Sequence, residues 1–223
     1  IFESEDSRDF SLVIDGEERF FEIDAVPLGD SYDGNMRMLK SIRDVTEERK
    51  IQEKLKFLAT IDSLSGLYNR AVFMDLAQKE FARAKSDNEE LSLLIMDLDN
   101  FKTINDTFGH AAGDEAIREI GKIIKTSFRK TDIVGRIGGE EFAAVLKNAS
   151  LEEAKMVAEK FRETVAKRKV VYGEQEISFT ISIGVASIGG NTDINDIEII
   201  LKMADDALYK AKSKGRNCVV TNM

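Results

Sequence analysis

The sequence predicts a soluble chain of the α+β class, with helices packed in layers on a sheet. Amphipathic helical segments alternate with short apolar strand segments, and a Gly-Gly turn predicts one β-hairpin. The composition agrees, because 43% of the 223 residues are hydrophobic and 33% are charged. At about 150 residues per domain, this length allows one large domain and a fragment of a second.

The first 46 residues predict an antiparallel β segment. Alternating apolar residues over 10–14, an Asp-Gly turn and β-forming residues over 20–26 predict a hairpin, and 36–45 predict a third strand. Three such strands form a marginal core by themselves. We therefore expect this segment to need a partner or additional preceding residues.

Residues 47–60 predict a linker helix. Thr46 is the expected N-cap, followed by acidic residues in the first turn. Ile51, Leu55 and Leu58 then form one apolar stripe on an otherwise charged helix. The stripe is expected either to pack within its own domain or to pair two chains as a short coiled coil. So few turns do not separate the two.

Residues 61–223 predict the larger unit. Its expected elements are helix, strand, helix, hairpin, helix, strand, helix and strand, over 70–84, 91–97, 111–127, 132–146, 151–166, 176–187, 194–213 and 218–221. The helices carry apolar residues at helical spacing, and 91–97 is nearly all apolar, as in a strand buried on both faces. Gly215 suits the C-terminal cap of the last helix.

Charge and cysteine content exclude several classes of protein. Lys plus Arg total 32 and Asp plus Glu total 41, and the net charge of −9 argues against nucleic acid as a partner. A single cysteine, Cys218, excludes an internal disulfide and a cysteine-built zinc site. No apolar run is long enough to span a membrane and no signal peptide is visible. We expect a cytoplasmic fragment without membrane contact, from a longer protein whose membrane attachment stays open.

The first segment with chemical character is 136–142. Two glycines allow a tight turn and a close approach of backbone to a ligand, and Glu140 and Glu141 follow directly. Adjacent carboxylates at a turn suit a hard cation with oxygen ligands. A solvated β-turn with surface acids has the same pattern, so the segment alone does not decide.

The second segment is 97–102, where an apolar strand ends in two acids. Asp97 and Asp99 share a face if the strand is regular there. Lys102 is the one residue expected to neutralise them, so a divalent metal is attractive. An Asx turn that closes the strand is the structural alternative.

Five segments in a fixed order resemble one family, the GGDEF diguanylate cyclases. They read DSLSGLYNR, MDLDNFKTINDTFGHAAGD, RKTD, GGEEF and ADDALYKAKSKGRN, at 62–70, 96–114, 129–132, 138–142 and 204–217. Ser65 stands where the family usually has Thr. Residues 8–46 resemble the second half of a PAS sensor domain. The resemblance divides the chain into a partial PAS segment (1–46), a signalling linker helix (47–60) and a GGDEF domain (61–223).

The resemblance implies a ferredoxin-like, palm-type sheet flanked by helices, and a reaction. Two GTP molecules on two facing domains of a homodimer would condense to cyclic di-GMP. Each 3′-hydroxyl would attack the α-phosphate of the other GTP and release pyrophosphate, with Mg²⁺ as cofactor and Mn²⁺ as the alternative ion. Asp97, Glu140 and the Leu98 carbonyl would hold metal. Glu141 would contact metal or help deprotonate the 3′-hydroxyl.

The resemblance also implies how the nucleotide and the product would bind. Lys212, Arg216 and Lys102 would hold phosphates, and Asn105 and Asp114 would read guanine. His110, the one histidine, is expected in the pocket wall rather than as a general base. Arg129 and Asp132 of RKTD would bind cyclic di-GMP as an inhibitor.

Two other functions compete with this enzyme. One is a catalytically weak domain that senses cyclic di-GMP or GTP, and the other is a structural dimerisation unit. Intact acidic and basic motifs argue against both, since neither needs all of them together.

Overall fold

A computed structural model describes residues 8–30, 36–173, 175–189 and 194–222 of the chain. The chain divides into two compact units, Ile1–Ala59 and Thr60–Met223. Within the described residues, no helix combines the length and the apolar character needed to cross a membrane.

The N-terminal unit is a three-stranded antiparallel sheet followed by a helix. Its elements are β1 (Arg8–Ile14), β2 (Glu17–Asp30), β3 (Met36–Asp44) and α1 (Thr46–Thr60). The strands lie in the order β1-β2-β3, which confirms the predicted antiparallel segment. Asp15 and Gly16 both have positive φ, 52° and 82°, as the turn between β1 and β2 requires.

The start of α1 differs from the predicted N-cap. The Thr46 hydroxyl accepts the Phe20 backbone N–H at 2.9 Å, and the Thr46 N–H donates to Asp44 Oδ1 at 3.0 Å. Thr46 therefore ties the helix to β2 and is the first helical residue rather than a cap. The predicted stripe falls partly outside the described side chains, which do not include Leu55 and Leu58.

The C-terminal unit contains five helices and seven strands in its described part. They are α2 (Arg70–Asp87), β4 (Leu91–Leu98), α3 (Phe101–Phe108), α4 (His110–Ser127), β5 (Ile133–Arg136), β6 (Glu141–Lys147), α5 (Leu151–Ala166), β7 (Lys169–Tyr172), β8 (Gln175–Ser178), β9 (Ile181–Ile188), α6 (Ile197–Ser213) and β10 (Val219–Asn222).

The main sheet has the order β10-β9-β4-β6-β5, in which only β10 and β9 are parallel among the described pairs. Strands β4, β5, β6 and β9 with their crossover helices form the split βαβ arrangement of ferredoxin-like folds. The α+β class and the ferredoxin-like sheet are thereby confirmed. β4 lies in the middle of this sheet, so its end is surrounded by neighbouring strands.

Both faces of the sheet are covered, which explains the apolar run in β4. Leu94, Met96 and Leu98 pack with α3, α4 and α5, while Leu93 and Ile95 pack with α2 and α6. Residue 97 follows this alternation and belongs to the α2/α6 face.

Three elements were not predicted as the structure has them. α3 was missed, because it is short and was treated as part of a motif. The strand predicted over 176–187 is two strands, β8 and β9, separated at 179–180. β7 was also missed, and it pairs with β8 in a separate two-stranded hairpin.

Candidate active site

Asp97 lies near the end of the central strand β4. Its register partners are Glu141 on β6 and Ser182 on β9. Directly opposite residues of an antiparallel pair place their side chains on the same face. The sheet therefore brings together the acids of two segments that are far apart in the sequence.

The cation beside Asp97 comes from the C-terminal helix. Lys212 Nζ on α6 lies 2.7 Å from Asp97 Oδ2. The expectation that Lys102 would neutralise these acids is therefore wrong, since Lys102 is exposed on α3. Sequence proximity misled it, because α6 packs against β4 only in the folded sheet.

Burial sets the electrostatics of Asp97, which is only 6% exposed. Loss of hydration raises its pKa to about 6, Lys212 opposes the rise, and the negative charges of Glu140 and Glu141 add to it. The three carboxylates are thus close enough to repel one another. A site of this kind favours binding of a cation.

Asp99, two residues further on, has a different environment. Its carboxylate accepts hydrogen bonds from Thr180 Oγ1 (2.7 Å), Ser182 Oγ (2.6 Å) and the Asn217 N–H (3.0 Å). It is 4% exposed and joins β4 to β9 and to the loop after α6. β4 ends at Leu98, so the two acids are not an equivalent pair.

The turn at Gly138 and Gly139 between β5 and β6, called the signature turn here, is fixed by Arg136. The guanidinium donates to the Gly139 carbonyl (3.1 and 2.7 Å) and to both oxygens of Asp62 (3.0 and 3.2 Å). Asp62 in turn accepts from the N–H and hydroxyl of Ser65. Burial alone would raise the pKa of Asp62, but these bonds lower it. Ser65, which stands where the family usually has Thr, thus uses its hydroxyl to bind Asp62.

Of the two glycines of the turn, Gly138 is needed for space, and neither is needed for backbone conformation. Neither has a positive φ. A Cβ on Gly138 would collide with the Glu141 carboxylate, whereas a Cβ on Gly139 would meet nothing within 4 Å. The open side of Gly139 leaves room for a ligand against the backbone.

The candidate guanine residues lie on α3 and α4. Asn105 Oδ1 is a buried acceptor without a hydrogen-bond partner among the described residues. Gly113 faces it, and any Cβ there would clash with Oδ1. Asp114 and His110 are exposed on α4, which begins at His110. This cradle therefore contains one orphaned acceptor and one exposed carboxylate.

Arg216 lies beyond α6 rather than on its polar face. Gly215 (φ 108°) and Arg216 (φ 66°) are left-handed, and the Arg216 N–H donates to the Ala211 carbonyl at 3.2 Å. This is the bond of a Schellman ending, as Gly215 predicted. Of the three expected phosphate ligands, Lys212 is thus the one on α6, where it contacts Asp97, and Lys102 is on α3.

RKTD lies at the far end of the same hairpin, directly before β5. The Arg129 backbone N–H donates to Asp132 Oδ2 at 2.9 Å, and the Arg129 side chain is exposed. Burial raises the pKa of Asp132. Both residues line a cavity of about 70 Å³ together with Asn148 and Glu153. The segment is not a simple surface ion pair, because its fixed contact is made by backbone.

Sequence reasoning missed the supporting residues. No role was predicted for Asp62 in the motif at 62–70. No partner was predicted for Arg136, which precedes the two glycines. A charged residue flanking each motif was the available signal. No sequence pattern indicated the three donors to Asp99, because they approach it only in the folded structure. They are Thr180, Ser182 and Asn217.

The donor set fits a magnesium ion that is bound in part by substrate. Among the described residues, no three His, Cys, Asp or Glu side chains form a ready metal-binding group. Mg²⁺ is commonly held by one or two carboxylates, substrate phosphates and water. Asp97 and the signature glutamates meet that smaller requirement.

A ferredoxin-like sheet with acids at the end of its central strand and an acidic turn beside them defines a nucleotide-cyclase type of domain. Residues 59–218 match the family described as "Diguanylate cyclase, GGDEF domain". The chain belongs to this family.

Individual relatives agree. The chain is 37% identical over 206 residues to diguanylate cyclase DgcM of Escherichia coli, covering 92% of this chain and 48% of that protein. The coiled coil and GGDEF domain of DgcB from Caulobacter crescentus, solved with c-di-GMP, superposes with a TM-score of 0.73 at 29% identity, covering 79% of this chain and 93% of that one. The active GGEEF domain of a diguanylate cyclase from Vibrio cholerae superposes with a TM-score of 0.65 at 36% sequence identity. The match covers 70% of this chain and 97% of that one. The chain spans about half the length of the curated relatives it matches.

Proposed function

We propose that this chain is a diguanylate cyclase that condenses two GTP molecules into cyclic di-GMP and two pyrophosphates. The observation that carries the proposal is the placement of Glu140 and Glu141 beside the buried Asp97. These acids, close to one cationic side chain, suit a metal-bound triphosphate better than an uncharged ligand.

Asp97, Glu140 and the Leu98 carbonyl are the proposed holders of Mg²⁺ or Mn²⁺. The ion, when bound, offsets the charge of the triphosphate and polarises the phosphorus under attack. Glu141 is the proposed acceptor of the 3′-hydroxyl proton, with its carboxylate placed by the missing Cβ of Gly138. The oxygen then bonds to the α-phosphorus of the second GTP, and pyrophosphate leaves with the electron pair.

Lys212, Arg216 and Lys102 are the proposed phosphate ligands. Their side chains are half-buried or exposed, so they can reach a bound triphosphate. Each would offset negative charge that the metal does not reach.

Guanine is the proposed base because of the cradle at α3 and α4. The orphaned Asn105 Oδ1 needs a donor, and the guanine 2-amino group supplies one. The exposed Asp114 carboxylate can accept from N1–H and the same amino group. Adenine has a bare acceptor at N1 and would leave Asp114 unpaired. His110 completes the proposed pocket wall.

Catalysis is proposed in a homodimer, because each half-site holds one GTP and the attack joins two. Arg129 and Asp132 are the proposed product site, where an exposed guanidinium can grip a phosphate or a guanine edge. Residues 1–46 are proposed to be part of a PAS sensor, and 47–60 its signalling helix. This proposal rests on the sequence resemblance and on the antiparallel strands of the N-terminal unit.

The test is incubation of the purified chain with GTP and Mg²⁺, followed by chromatography. Cyclic di-GMP and pyrophosphate in a 1:2 ratio support the proposal, and ATP in place of GTP should give no cyclic product. If GTP is not consumed but cyclic di-GMP binds with a measurable heat, the chain is a sensor and the enzyme proposal fails.

A further inference from the structure

The contact between Lys212 and Asp97 carries an inference that rests on the proposed function and deepens it. Asp97 is a proposed metal ligand and Lys212 a proposed phosphate ligand. In the structure, however, the two side chains bind each other, with Lys212 Nζ 2.7 Å from Asp97 Oδ2. One carboxylate oxygen cannot accept an ammonium at this distance and a divalent cation in the same place.

The burial of Asp97 explains why its ionised carboxylate needs a cation. The residue is 6% exposed, and an unpaired buried carboxylate is costly. Glu140 and Glu141 add repulsion from the signature turn. A counterion supplied by the chain itself therefore stabilises the metal-free protein.

The position of Lys212 allows its ammonium both to bind Asp97 and to leave it for solvent. Its side chain is 35% exposed, compared with 8% for that of Asp97, and it lies in the last turn of α6. A lysine stem is flexible, and its ammonium is a compact charge that can be rehydrated on release. Asp99, which is held by three fixed donors, lacks such an exchangeable partner among the described residues.

We propose that Lys212 is a resident counterion of Asp97 that a divalent metal must displace, so that metal entry frees the ammonium for the substrate phosphates. Lys212 thereby acts as a competitor of the metal in the nucleotide-free protein and as a phosphate ligand once the metal is bound. The charge at Asp97 stays compensated both before and after the exchange.

The experiment measures Mn²⁺ binding to the metal-free chain without nucleotide, at mildly alkaline pH, by electron paramagnetic resonance. Lys212→Met removes the competitor and should tighten Mn²⁺ binding about tenfold, the equivalent of one charge-assisted hydrogen bond. Lys210→Met is the matched control, because it removes the same charge from the exposed face of the same helix. It should bind Mn²⁺ like the unchanged chain.

Two further variants make the result decisive. Lys212→Gln keeps a neutral hydrogen bond to Asp97 and should fold if Lys212→Met does not; its Mn²⁺ affinity should also rise. Asp97→Asn combined with Lys212→Met should lose the gain. Unchanged Mn²⁺ affinity in both Lys212 variants, or a gain that survives Asp97→Asn, overturns the exchange. Failure of the proposed function is seen separately, as absence of cyclic di-GMP from the unchanged chain with GTP.

Discussion

Asp97 and Asp99 lie two residues apart at the end of one strand, yet the fold treats them differently. Asp97 has one partly exposed lysine as its partner and two acids nearby. Asp99 has three hydrogen bonds, from Thr180 just before β9, from Ser182 in β9 and from Asn217 in the loop after α6. The single ion pair of Asp97 can be exchanged for another cation. The hydrogen bonds of Asp99 occupy both of its carboxylate oxygens. Residue type and sequence position therefore do not distinguish the roles of the two aspartates, whereas their partners in the fold do.

The largest expected effect breaks the exchangeable side of this comparison. Asp97→Asn keeps the shape but removes the charge that would bind metal. Initial turnover of GTP should fall about a thousandfold or more, because several kcal/mol of charge stabilisation are lost. The urea midpoint should not fall, because the raised pKa of Asp97 means that its charged form destabilises the metal-free fold at neutral pH. A variant that turns over GTP near the normal rate contradicts the metal assignment.

The second-largest effect is expected at Asp99, the carboxylate whose hydrogen-bond partners are fixed. Asp99→Ala leaves three donors without their acceptor and should lower the free energy of unfolding by about 3 kcal/mol. Urea unfolding of the variant and of the unchanged chain measures this. If the stability is retained while turnover alone disappears, Asp99 belongs to the chemistry and the distinction drawn above is wrong.

The effect of pH sharpens the comparison. The folded pKa of Asp97 is raised to about 6 from its ordinary 3.8, so the folded chain holds this proton more tightly than the unfolded chain. The resulting stability is full below about pH 4 and is lost as pH rises through 6. Without metal, Asp97→Asn should therefore gain on the unchanged chain by about 2 to 3 kcal/mol across this range.

Parallel urea titrations at pH 4 and pH 7 test the sign. Asp99→Asn is the matched comparison at the neighbouring carboxylate. A constant difference between Asp97→Asn and the unchanged chain at both values would show that Asp97 titrates normally.

The smallest expected effect concerns a third carboxylate, Asp132, whose fixed partner is the Arg129 backbone N–H. Arg129→Ala keeps that bond and removes only the exposed guanidinium. Early turnover should be unchanged, while slowing by accumulated product should disappear. Product affinity by calorimetry should weaken by about 2 kcal/mol. Equal affinity and equal slowing would leave RKTD with a structural role.

Local patterns predicted most of the fold. The helices were evident from apolar residues at helical spacing, the strand buried on both faces from its continuous apolar run, and the hairpin from its Gly-Gly turn. The break at 179–180 was not evident, since the alternation continues through it. At this break the Thr180 hydroxyl donates to Asp99, a contact across 81 positions that no local pattern indicates.

The site was predictable as a set of motifs but not as a set of contacts. Order and spacing placed Asp97, Glu140 and Lys212 in one family pattern. No local rule could pair Lys212 with Asp97 or Arg136 with Asp62, because both pairs depend on how the sheet brings distant strands together. For the same reason, Lys102 was wrongly preferred as the neutralising cation.

The bond from the Asn217 N–H to Asp99 joins residues 118 positions apart, and it has a consequence in time. A ribosome releases the chain in order, so residues 97–99 emerge well before residues 212–217, which supply two of their side-chain contacts. Until then Asp97 lacks the ammonium of Lys212, and Asp99 lacks the amide of Asn217. Contacts of such long separation form late and slowly. A truncated chain without residues 212–217 would therefore lack two contacts of the site, the Lys212–Asp97 ion pair and the Asn217–Asp99 hydrogen bond.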